Sequence, residues 1–299
     1  MPASSPHHAK GLALTAVGGL TLTFDVPLIR LADGDHWSIL LLRSSTTLIA
    51  TLLIWLAWRG LRGNAPSLIP GKAGLIVAAL YGLSSITFMT SVYHTSTANV
   101  VFILAFNSMF AALLSWLLLG ERPAVSTLIT MAVMAGGVFI IVSASMGSGH
   151  LFGDLMAVVT AMLIASAITI SRSTGRDMGF AALVAVLIPL AVAAPMVATT
   201  GLSVAAPWWI ILNGAVVMPV AFFCLATGPK YLSGPEVAMF YLLETVLAPI
   251  WVWMIFAEVP ASPTLAGGAI LIVALVAHSL WQLNHGRRRK AAGALRHPA

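Results

Sequence analysis

Ten apolar runs follow one another along this chain, at residues 11–30, 38–58, 73–93, 97–119, 125–145, 151–171, 180–200, 208–230, 235–257 and 263–285. Each has the length of about 20 residues that a helix needs to cross a hydrocarbon core. In lipid the backbone must satisfy its own N–H and C=O groups, so helices are the expected conformation. Only 8% of the 299 residues are charged, against about 25% in a soluble domain. So few charges cannot cover a soluble surface. The mean hydropathy of +0.98 agrees. The fold class read from this pattern is all-α integral membrane. The loops between runs are short and hold the breakers, among them Gly60, Pro66, Pro70, Pro123, Gly147, Gly149, Gly201, Pro207, Gly234, Pro235, Pro260 and Pro263.

Orientation follows from the cations. With the N-terminus in the cytoplasm, the inner segments hold Lys10, Arg59, Arg62, Lys72, Arg122, Arg172, Arg176, Lys230 and the tail group Arg287, Arg288, Arg289, Lys290 and Arg296, which is thirteen of the fifteen Lys and Arg. Arg30 is left outside, beside Asp33 and Asp35, and Arg43 lies within the second run. This is the positive-inside bias, and it places both termini in the cytoplasm. It also explains the pI near 10 without a nucleic-acid groove. The lone Cys224 excludes an internal disulfide.

A repeat divides the ten runs. Trp116, Glu121, Pro123, Ala124, Thr127 and Leu128 recur 137 residues later as Trp253, Glu258, Pro260, Ala261, Thr264 and Leu265. Each half then holds five runs, and because five is odd the second half enters the membrane inverted. The expected organisation is a cytoplasmic tail at 1–10, a first five-helix repeat at 11–145, a second, inverted repeat at 151–285 and a basic cytoplasmic tail at 286–299. Arg122 becomes Val259 in the second copy, as expected when one turn is cytoplasmic and the other external. Glu121 and Glu258 therefore mark opposite membrane faces and read as turn markers.

The segment Leu117-Leu118-Leu119-Gly120-Glu121-Arg122-Pro123, doubled within a ten-helix chain, resembles the drug/metabolite transporter superfamily with its paired EamA-type domains. The resemblance covers nearly the whole chain. It implies a small-metabolite exporter of a bacterial inner membrane that works without ATP hydrolysis. Phe24-Asp25-x-Pro27-Leu28-Ile29-Arg30, followed by Arg43-Ser44, resembles an exporter subgroup, with aromatic amino-acid exporters nearest among named members. One departure stands out. The family often has a proline thirteen residues before the glutamate of its turn, where this chain has Ser108 and Thr245. Pro249 can supply a kink in the ninth run, and the fourth has no substitute.

Polar groups at membrane depth are costly and face a bundle interior or a wet cavity. Asn99 and Asn107 of the fourth run have Glu236 and Glu244 as repeat mates in the ninth. Each pair lies eight residues apart, a rotation of about 80°. Asn107 and Glu244 fall near the midplane, where inverted-repeat transporters bind substrate. Glu236, at a helix start, also suits the helix dipole. Tyr81, Ser84, Thr87, Ser91 and Thr95, with Phe88, form one face of the third run. This face suits either a cavity wall or close packing. Phe102, Phe106 and Phe110 make an aromatic stripe, with Tyr241 near the matching face of the ninth run; such stripes also serve packing. Asp25 and Arg43 lie at similar depth, roughly 7 Å below the outer face, and read as a buried pair or as a grip on a zwitterion.

The expected substrate site is thus Asn107, Glu244, Tyr81, Ser84, Thr87, Phe88, Asn99, Phe106 and Tyr241. Glu244 is the first candidate for proton coupling, and Asp25 and Arg43 are the charge pair. The function read from the residues and the resemblance is a secondary transporter exporting small amphipathic metabolites, amino acids foremost, by alternating access. A passive channel or facilitator is the alternative. A membrane enzyme is disfavoured, because no His-Glu-x-x-His helix, P-loop or Gly-x-Ser-x-Gly elbow occurs. No cofactor or metal is called for. The expected partners are a small-molecule substrate and the lipid bilayer, with the chain a monomer.

Overall fold

The computed structural model describes residues 6–63, 67–120, 122–174, 178–227 and 234–294. These residues form helices and no sheet beyond one isolated bridge, Gly34 with Val204. In chain order the helices are α1 Pro6–Leu22, α2 Asp25–Leu31, α3 His36–Arg62, α4 Gly71–His94, α5 Thr97–Leu104, α6 Asn107–Leu119, α7 Val125–Ala144, α8 Leu151–Thr174, α9 Gly179–Val184, α10 Leu187–Thr200, α11 Pro207–Leu212, α12 Met218–Thr227, α13 Gly234–Phe256 and α14 Ser262–Ala294. A π-helical segment, Asn213–Val217, joins α11 to α12. Nine spans are long and apolar enough to cross a membrane among the described residues, and the stretch Phe240–Phe256 of α13 supplies the remaining one. The helix α14 continues through the basic residues to Ala294, so this part of the tail is helical.

Ten runs give fourteen helices because four spans are broken. The first breaks at Thr23–Phe24, the fourth at Ala105–Phe106, the seventh at Ala185–Val186, and the eighth bulges at Asn213–Val217. Three of these follow from proline, which lacks an N–H and crowds the carbonyl four residues earlier. That carbonyl belongs to Thr23 for Pro27, to Ala185 for Pro189 and to Ala215 for Pro219. The fourth span was expected to lack any source of a kink, and the structure corrects this. Ser108, in the place of the family proline, donates its hydroxyl to the Ala105 carbonyl at 3.3 Å. The Phe106 N–H meanwhile turns to Ile103 in a tighter turn. A side chain competing for a helix carbonyl bends the helix as an absent donor does. The ninth span, expected to kink at Pro249, is one unbroken helix.

Large apolar side chains remain exposed around the bundle, including Leu53, Leu56, Phe139, Trp253 and Val273. Such a surface is stable in hydrocarbon and unstable in water. The repeat-related helices α7 and α14 cross at Gly137 and Gly267. A Cβ on Gly267 would lie 2.6 Å from the Gly137 carbonyl oxygen, so only glycine lets the two backbones approach this closely.

On the face that the charge pattern assigns to the outside, the two halves are tied together. Asp35 donates its N–H to Ser203, and Ala205 and Ala206 donate theirs to Asp33 and Ala32. Tyr93 donates its hydroxyl to the Gly34 carbonyl at 2.7 Å. Burial raises the Asp35 carboxyl, but the Ser38 hydroxyl and the N–H groups of Ser38 and Trp37 outweigh it and hold the group below its ordinary value. Glu258 does more than mark a turn. It pairs with Arg30 of the first half, and it accepts the N–H of Thr97, the first residue of α5, at 3.1 Å.

Candidate transport site

The break at Thr23–Phe24 starts a new helix, α2, whose first residue is Asp25. An acid in a first turn complements the helix dipole, and the break aims this one into the bundle. Asp25 and Arg43 are 4% and 6% exposed. Arg43 Nη2 donates to Asp25 Oδ1 at 3.0 Å and to Oδ2 at 2.9 Å. Arg43 Nε donates to Asn213 Oδ1 at 3.1 Å. Asn213 Nδ2 in turn donates to Asp25 Oδ1 at 2.8 Å and to the Asp25 carbonyl at 3.1 Å. Met218 Sδ and the Phe88 ring complete the surroundings of the guanidinium. The expected charge pair is therefore present, clamped by an asparagine from the opposite half.

The π-helical turn makes this clamp possible, because its extra residue turns Asn213 inward. A Cβ on the next residue, Gly214, would lie 2.0 Å from Thr46 Oγ1 and 2.6 Å from the Arg43 carbonyl oxygen. The variant Gly214→Ala must push the eighth span off α3. It is expected to cost about 1–3 kcal/mol through overpacking and to lower the thermal unfolding midpoint in detergent.

Glu244 of α13 lies within coulombic reach of Asp25 and Arg43, and Tyr241 within reach of Tyr81 and Glu244. Among the described residues, Glu244 hydrogen-bonds none. Tyr241 keeps 44% of its surface exposed although it faces these groups. The structure thus brings together Asp25, Arg43, Phe88, Tyr81, Tyr241 and Glu244, from spans one, two, three and nine, with Asn213 from span eight.

The structure gives contacts or burial for the remaining expected site residues. Ser84 donates to its own helix at the Tyr81 carbonyl, and Thr87 shares a hydrogen bond of 2.7 Å with Thr160 of α8. Phe106 and Phe110 line an apolar cavity of about 260 Å³ with Ile103, Ala135, Val138, Phe139, Val142 and Val158. Asn107 is half-buried at the first position of α6. Glu121 and the side chain of Glu236 lie outside the described residues.

Asn99 belongs to a second polar centre, nearer the outer face. Its Nδ2 donates to Asp154 at 3.0 and 3.2 Å, and its Oδ1 accepts from Thr264 at 2.7 Å. Thr95 and Ser145 donate to the same carboxyl at 2.6 and 2.5 Å. Asp154 is wholly buried, and these contacts leave the Asn99 amide no donor for a ligand.

Asn213 and Asp154 are the residues that sequence reasoning missed. Asn213 carried a usable signal, as the polar residue six positions inside an apolar run and just ahead of Pro219. Asp154 carried none, because an acid in a first helical turn ordinarily only complements the dipole.

Comparison with known proteins agrees with this architecture. Residues 9–143 match the EamA-like transporter family, a range within two residues of the first repeat. The pseudopaline exporter CntI of Pseudomonas aeruginosa (strain UCBPP-PA14) is 26% identical over 240 residues, which cover 77% of this chain and 82% of that protein. A crystal structure of another protein covers 91% of this chain and 97% of its own with a TM-score of 0.65 at 17% identity; this likeness speaks for the fold alone. The chain carries an EamA-like transporter domain, and it is a multi-pass membrane transporter rather than an enzyme.

Proposed function

We propose that the chain is a secondary transporter of a bacterial inner membrane that exports small amphipathic metabolites, with amino acids the first candidates. The observation that carries this reading is the internal group of Asp25, Arg43, Glu244, Tyr81 and Tyr241, gathered from both halves. It offers both charge signs and aromatic ring faces within one group. A zwitterion with an apolar or aromatic side chain suits that mixture better than a bare ion does. The two halves rock around this site, and Glu244, the carboxyl there with no bonded partner among the described residues, carries the proton. The similarity to a pseudopaline exporter supports the outward direction.

Purified protein in liposomes with an imposed pH gradient tests the proposal. Wild type is expected to accumulate labelled phenylalanine, with saturable exchange. Glu244→Gln is expected to lose gradient-driven accumulation, down to the level of protein-free vesicles, and its residual exchange should not change with pH. Unchanged accumulation and pH dependence in Glu244→Gln would remove the proton role from this residue.

A further inference from the structure

The guanidinium of Arg43 is bonded on one side only. Nε is held by Asn213 and Nη2 by Asp25 and Met218, while Nη1 has no partner among the described residues. An arginine usually meets a carboxylate with two nitrogens, one for each oxygen. Here both oxygens of Asp25 sit on the single nitrogen Nη2. Asn213 is the cause, because its Nδ2 holds Asp25 Oδ1 at 2.8 Å and its Oδ1 holds Arg43 Nε. The result is a guanidinium that is 6% exposed, rigidly placed, and still carrying two unused N–H donors on Nη1.

Glu244 is the complementary group. It feels both Asp25 and Arg43, yet it bonds neither. The open Nη1 of Arg43 and the Glu244 carboxyl thus lie within coulombic reach of each other without bonding. Both gain from a partner, since a guanidinium N–H and an acid removed from bulk water are each costly when left unpaired. A ligand with two opposite charges close together meets both needs.

We propose that Arg43 Nη1 anchors the carboxylate of an exported aminocarboxylate zwitterion, that Glu244 faces its ammonium group, and that Asn213 is the positioning residue that keeps Nη1 free. This rests on the reading of the group around Arg43 and Glu244 as the transport site. It goes further by fixing the order of charges, and so the substrate class. The site already holds two carboxylates against one guanidinium. A substrate with a second carboxylate would add uncompensated negative charge, so acidic amino acids are excluded.

Competition against labelled phenylalanine uptake in proteoliposomes tests this on wild-type protein, so that folding is not at issue. Phenylalanine amide lacks the carboxylate, and N-acetylphenylalanine lacks the ammonium. Each is expected to compete about 10- to 100-fold more weakly than phenylalanine, the range for losing one charge-assisted hydrogen bond. The variant Asn213→Ala should raise KM for phenylalanine more than it lowers kcat. It should also shrink the ratio between phenylalanine and its amide towards one. A general loss of folded protein would leave that ratio unchanged. Equal competition by phenylalanine and its amide in wild type would overturn the Arg43 assignment while leaving the transport reading standing. An absence of saturable phenylalanine uptake in folded wild type would overturn both.

Discussion

Asp25→Leu is expected to be the most damaging single change at the transport site. It leaves the Arg43 guanidinium charged, buried and without a bonded counter-ion, at a cost of about 3–5 kcal/mol. Asn213 remains beside it, but an amide oxygen does not replace a carboxylate. The converse variant, Arg43→Met, should cost less, because Asp25 keeps the Asn213 amide donor and can take up a proton. Combining the two as Asp25→Leu with Arg43→Met removes both charges and should recover most of the lost stability, since well-packed apolar groups often replace a buried pair without loss. Transport should not recover. Thermal unfolding and monodispersity in detergent, measured beside uptake for all three variants, separate the two effects. A double variant that transports normally would reduce the pair to a structural role.

Asp154→Ala should be the most damaging change outside the transport site. The carboxyl receives donors from Thr95, Asn99 and Ser145, and these come from three different spans or their ends. Removing it orphans buried hydroxyl and amide groups at about 1–3 kcal/mol each, so the total is on the order of several kcal/mol. The network also reaches α14 through Thr264, which joins the two halves. Folded protein recovered after solubilisation should fall sharply. Turnover per folded molecule should stay near wild type, because the donors of Asn99 are spent within the protein. A variant with normal stability and lost turnover would place Asp154 on the transport path.

How much of this was legible in the sequence depended on the residue. The ten spans were readable because lipid demands long apolar runs, and the inverted halves because Trp116 to Leu128 recur as Trp253 to Leu265. The Asp25–Arg43 pair was readable because two opposite charges at one depth in lipid have few other places to go. What one helix does to another was harder. The hydroxyls on the third span gave a clean stripe, but the side that α8 packs against is a tertiary fact, and Thr87 turned out to face Thr160. The break in the fourth span was hidden because the search was for a proline, and Ser108 bends the chain by taking a carbonyl. Asn99 and Asn107 shared a stripe, yet the break between them at Ala105–Phe106 ended the straight-helix geometry on which that stripe relied.

The broken spans bear on how such a chain can move. Spans one, four, seven and eight are interrupted, while their counterparts in the opposite half, spans six, nine, two and three, run through without a break. If the two halves simply exchanged shapes during a cycle, the interrupted helices would have to heal and the continuous ones would have to break. A proline has no N–H to give back, so the backbone bonds missing at Pro27, Pro189 and Pro219 stay missing in every state. Pro195 and Pro249 sit in unbroken helices, so a lost bond permits a bend without fixing it. The interrupted spans are therefore the places where bending costs least, and the ion pair and backbone ties of the outer face are the seam that opens.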